Sequence, residues 1–163
     1  MLWFFLDTLA IVKRFHKEKG TDAVDGIITS IVEGNHKGIL SLLTVLEFVS
    51  VFRKKVNSRE ITWKDFIDTV AGFVEESTEN FSFQAAESVM YTEAMDYVVK
   101  YSLFAPDSLN LAVMNRVAQT IEKAKLVLVS ADRKLCESAE QEGFRTLDPE
   151  IVTGKGVEEI LKL

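Results

Sequence analysis

The sequence predicts an α/β fold: three layers, α/β/α, around a central, mostly parallel sheet. Three observations carry this. The run Leu2-Trp3-Phe4-Phe5-Leu6 has no polar alternation and stops at Asp7-Thr8, the pattern of a strand covered on both faces. Leu126-Val127-Leu128-Val129 repeats it and ends in Ser130-Ala131-Asp132. Between these runs lie segments with helical apolar spacing, which supply the crossovers a parallel sheet requires. Ligands of such sheets bind beyond the carboxyl ends of the strands, so Asp7 and Asp132 stand where a site would form.

After Asp7, residues 8–19 place Ile11, Val12 and Phe15 on one side and Lys13, Arg14, Lys17 and Lys19 on the other. That is a first helix with a basic outer face, stopped at Gly20. Val24, Ile27, Ile28, Ile31 and Val32 form the buried stripe of a second helix over 21–33, closed by Gly34-Asn35. Gly38-Ile39-Leu40-Ser41 suits a second strand. Residues 42–56 then predict a helix with Leu43, Leu46, Val49 and Phe48 or Phe52 inward, and Arg53-Lys54-Lys55 near its end, where cations favour the dipole. Glu47 lies among these apolar residues, a costly place for a charge without a purpose.

From 57 to 103 the composition turns helical and aromatic-rich. Residues 61–74 and 84–101 predict two helices joined by a polar loop over 75–80. A helical hairpin insert at about 57–103, on the edge of a single domain spanning 1–163, is therefore expected. Ala105-Pro106-Asp107 opens another helix, with proline in the first turn and an acid beside it. Past Asp132, residues 133–142 make a short helix stopped by Gly143, 144–149 a last strand and turn, and 154–163 a terminal helix.

The chain has 163 residues, 47% hydrophobic and 27% charged, as expected for an ordinary globular domain. Its net charge of −6 argues against broad electrostatic adhesion to nucleic acid or anionic membrane. A cation held by carboxylates can still supply positive charge locally. Cys136 is the one cysteine, which removes intramolecular disulfides and thiolate zinc sites and fits a reducing, cytoplasmic setting. No apolar run approaches the ~20 residues of a membrane span.

Four acids fall at element boundaries or inside an apolar stripe: Asp7, Glu47, Asp107 and Asp132. In a parallel sheet the strand-end acids share one edge, and the other two can lean over it. Two carboxylates ~5 Å apart repel by ~3 kcal/mol at an effective dielectric of 20, so such a cluster stays partly protonated or binds a cation. All-oxygen ligation selects a hard ion, Mg²⁺ or Mn²⁺. Each acid has a plainer alternative: Asp7 or Asp132 as a helix cap, Asp107 as a dipole partner, Glu47 as a solvated side chain.

The segments Leu6-Asp7-Thr8, Leu43-Thr44-Val45-Leu46-Glu47-Phe48, Ala105-Pro106-Asp107-Ser108-Leu109-Asn110, Leu128-Val129-Ser130-Ala131-Asp132 and Leu147-Asp148-Pro149 resemble, in order and spacing, the PIN domain family. The pattern is similar to that of the VapC-type ribonuclease toxins. This resemblance implies a metal-dependent endoribonuclease with Asp7, Glu47 and Asp107 as metal-binding and catalytic acids and Asp132 as a fourth. It also implies Thr8 and Ser130 as supporting hydroxyls, an antitoxin protein and a homodimer as partners, and the insert as the place where these dock. Asn110, one turn beyond Asp107, would order a water at the metal or serve as a capping amide. Lys13 and Arg14, or Arg53 and Lys54, are candidates for steering RNA. The alternative is a catalytically weak PIN-like module that binds RNA or protein.

Overall fold

The unbroken apolar run at the start forms strand β1 (Trp3–Leu6), covered on both faces. Phe4 and Leu6 enter one core and Phe5 the other, as a period of two dictates. The computed structural model describes residues 1–152 and 154–162. Past β1 the chain runs through α1 (Thr8–Phe15), α2 (Thr21–Val32), β2 (Lys37–Ser41), α3 (Leu42–Asn57), α4 (Trp63–Asn80), β3 (Phe81–Gln84), α5 (Ser88–Tyr101), α6 (Ala105–Val117), β4 (Leu126–Val129), α7 (Arg133–Gln141), β5 (Arg145–Leu147) and α8 (Gly154–Leu161). Leu163, within the expected terminal helix, lies outside the described residues.

All four strand pairings are parallel, in the order β3-β2-β1-β4-β5. The three-layer architecture expected from the sequence is therefore the one observed. The chain winds outward from β1 through β2 to β3, then returns to lay β4 and β5 on the other side of β1. Direction reverses between β1 and β4, and a crevice at the carboxyl ends of those strands is the consequence.

The segment 57–103 differs from its expectation. The polar stretch 75–80 is not a loop but the last turns of α4, and β3 lies between the two helices where a hairpin connection was expected. β3 extends the sheet by pairing with β2, so this segment builds the sheet edge as well as covering it. Phe81 packs so closely over Gly38 that a Cβ there would lie 2.4 Å from its ring. Glycine at 38 is what lets this edge close.

α3 also sits differently from its expected stripe. Phe48 and Phe52 are fully buried, but Leu46 is 69% exposed. The inward face is set by the aromatic cluster of Phe15, Phe48, Phe52 and Phe73, with the Phe48 and Phe73 rings stacked at 3.9 Å. Phe48→Ala is expected to cost about 3–5 kcal/mol, measurable as a lower midpoint in urea at unchanged slope. No helix among the described residues is long and apolar enough to cross a membrane.

Candidate active site

Asp7 follows β1 directly and caps α1, its Oδ1 accepting the Ala10 backbone N–H at 2.8 Å. Its other oxygen accepts the hydroxyl of Ser130, the residue after β4. Adjacent parallel strands thus bring residues 123 positions apart into contact. Asp132 caps α7 through the Leu135 backbone N–H, and its own N–H donates to Ser130 Oγ. Glu47, in the second turn of α3, accepts the Thr8 hydroxyl at 2.6 Å. Asn110 is buried, and its Oδ1 accepts the hydroxyl of Ser41, the residue that caps α3.

Asp7, Thr8, Glu47, Asp107 and Asn110 line one hollow of about 290 Å³. The structure brings these five predicted residues together. Asp132 lies outside the lining, close enough for its charge to act on both Asp7 and Asp107. Ser130 sits behind Asp7 rather than in the hollow. Ser50, Val51 and Leu9 also line it. Ser50 and Val51 were legible in principle, because they lie three and four residues after Glu47, on the same face of α3.

The carboxylates feel one another. Burial pushes the Asp7 carboxyl up to about 7, opposed by the hydrogen bonds from Ser130 and Ala10 and reinforced by the charges of Asp107 and Asp132. Burial, then the charges of Asp132 and Glu47, push Asp107 up to about 6. Among the described residues none of these four acids takes part in an ion pair. Nor do any three His, Cys, Asp or Glu side chains converge tightly enough to close on one point. Each acid is instead held by a hydroxyl or a helix N-terminus, or leans against its neighbours' charges. Cys136 lies beside this network with its thiol buried and pushed up to about 12, chiefly by burial and next by Asp7, so it is inert.

The basic face expected on α1 is corrected by its partners. Lys13 is buried and held by Glu18 at 3.0 Å and Glu150 at 2.7 Å. Arg14 is held by Glu76 at 2.7 Å and Asp25 at 2.9 Å. Neither is available to steer RNA, since acids both near (Glu18, Asp25) and distant in sequence (Glu76, Glu150) hold them. Arg53 is exposed and lies over the Trp63 ring at 5.3 Å, away from the hollow. Lys54 lines the hollow.

A parallel five-stranded sheet between helical layers, with acids gathered at the reversal of strand order, defines the class: a PIN-like α/β fold with a carboxylate-lined hollow. Solved structures share it, among them the following two. The crystal structure of FitAcB from Neisseria gonorrhoeae superposes with a TM-score of 0.60 at 14% identity, covering 91% of this chain and 99% of that one. That of VapBC2 from Rickettsia felis, bound to a DNA fragment from their promoter, gives 0.61 at 12% identity, covering 90% and 98%. No family model and no curated protein matches the sequence.

This corrects the resemblance drawn from motifs. Membership of the PIN domain family, and closeness to its VapC-type toxins, does not follow, because no family model matches and identities of 14% and 12% carry the fold alone. Short motifs centred on single acids are what any parallel sheet with carboxylates at its strand ends displays. The likeness lies in architecture.

Proposed function

We propose that this protein is a metal-dependent endoribonuclease, with Asp7, Glu47 and Asp107 holding Mg²⁺ or Mn²⁺ and Asp132 adding negative potential from the rim. The observation that carries this is a hollow lined by three carboxylates that, among the described residues, have no cation paired to them, two of which resist ionising. An all-oxygen donor set fits a hard divalent ion. Residues that do not close a cage on their own are compatible with one that keeps several waters. Such an ion, when bound, stabilises charge on phosphoryl oxygens and makes water a stronger nucleophile.

The chain's own side chains prepare that chemistry. Thr8 fixes the Glu47 carboxylate by donating to Oε2, and Ser130 fixes that of Asp7. Ser41 takes the Asn110 oxygen, which leaves the Asn110 NH₂ to donate to a phosphate oxygen or a water in the hollow. Such positioning by outer hydroxyls is how a site keeps its acids aimed. The test is cleavage of a mixed RNA pool with and without Mg²⁺ or Mn²⁺, by wild type beside Asp107→Asn. Equal products from both would favour the binding-module alternative.

The homodimer belongs to this proposal. Leu43, Tyr91, Met95, Val98, Pro106 and Leu109 line an almost wholly apolar groove between α5 and the starts of α3 and α6, with Val99 84% and Phe104 80% exposed nearby. A contiguous apolar face of this kind marks a protein–protein contact. A second copy of this chain is the occupant we assign. Met95→Glu is expected to halve the mass measured by light scattering without lowering the melting temperature of the protomer. A role as the toxin of a toxin–antitoxin pair completes the reading; growth arrest on expression, relieved by the product of an adjacent small reading frame, tests it.

A further inference from the structure

One wall of the hollow is used by the chemistry above only at Glu47. Glu47, Ser50, Val51 and Lys54 recur at i, i+3, i+4 and i+7 along α3 and all line it. Among the described residues Lys54 is the one cationic side chain in that lining. Its neighbours are engaged elsewhere: Lys55 pairs with Glu60 at 3.1 Å, and Arg53 lies over Trp63. Lys54 makes no ion pair among the described residues, although it borders three acids.

Seven residues at 1.5 Å rise put Lys54 about 10 Å along the helix axis from Glu47. A cation set that far from the acids can meet a backbone phosphate other than the one undergoing attack. Between the two positions α3 offers Ser50 and Val51, and Leu9, 46% exposed, lines the hollow from the start of α1. A cation, a hydroxyl and apolar surface are the groups that meet phosphate, ribose and base.

We propose that Lys54, with Ser50, Val51 and Leu9, forms a subsite for the nucleotide neighbouring the scissile phosphate, with Lys54 holding a non-reacting phosphate. This rests on the nuclease reading and assigns its substrate grip. Binding of a short fluorescein-labelled single-stranded RNA, measured by anisotropy over a range of salt in the Asp107→Asn background, separates the two. Adding Lys54→Gln is expected to weaken binding about tenfold near 0.1 M salt and to flatten the plot of log affinity against log salt by about 0.7, one single-strand phosphate contact. Lys54→Arg keeps the slope, and Lys64→Gln, on exposed α4, leaves it unchanged. With Asp107 intact, Lys54→Gln raises KM about tenfold with kcat within a factor of about two. An unchanged slope and KM for Lys54→Gln, beside an active wild type, would overturn the subsite and leave the nuclease standing. A wild type that cleaves no RNA with either metal would overturn both.

Discussion

Asp107→Asn and Asp7→Asn are each expected to lower metal-dependent RNA cleavage by about a hundredfold or more, at unchanged fold by circular dichroism. Asparagine keeps the shape and the capping capacity of aspartate but removes the charge that would hold the ion. Asp7 can lose that charge without losing its place, because its contacts to Ala10 and Ser130 are hydrogen bonds that an amide can also make. Asp22→Asn, on the exposed first turn of α2, serves as the control and leaves the rate unchanged. Loss of activity confined to the residues lining the hollow ties the chemistry to that place.

The second large effect is on stability. Asp7 titrates near 7 in the folded chain and near the ordinary 3.8 when unfolded. Between those values the folded state binds the extra proton, so folding stability falls as pH rises. The penalty is absent below about pH 4, grows toward pH 7 and is complete above it, reaching a few kcal/mol by linkage at ~1.4 kcal/mol per unit. Asp107 acts in the same direction. Metal-free wild type is therefore expected to melt at a lower temperature at pH 8 than at pH 5.5. Asp7→Asn should flatten that dependence and melt above wild type at pH 8. An inactive variant more stable than its parent is what a cation site of buried, like-charged carboxylates predicts.

Much of this was legible in the chain. β1 and β4 announce themselves as apolar runs ending in Asp7 and Ser130-Ala131-Asp132, because a strand buried on both faces has no reason to alternate. Glu47 was visible as a charge in an apolar helix, and Asp107 as an acid beside a first-turn proline. β3 was not legible: Phe81-Ser82-Phe83-Gln84 is four residues long, follows a polar helix end, and gains its strand identity only from pairing with β2. The pairing of Lys13 with Glu150 spans 137 positions, and no local pattern encodes it. Leu46 was misplaced because helical periodicity gives a face but not which neighbour claims it, and Phe48 and Phe52 won that claim by size.

The proposed nuclease requires Asp7, Glu47 and Asp107 to seat a divalent cation. Isothermal titration of metal-free protein with Mn²⁺ tests it most directly, using wild type, Asp7→Asn and Asp107→Asn at pH 7.5. Saturable binding by wild type, weakened about tenfold or more in each variant, is the predicted result. Binding that is absent from wild type, or equally strong in all three proteins, would contradict it.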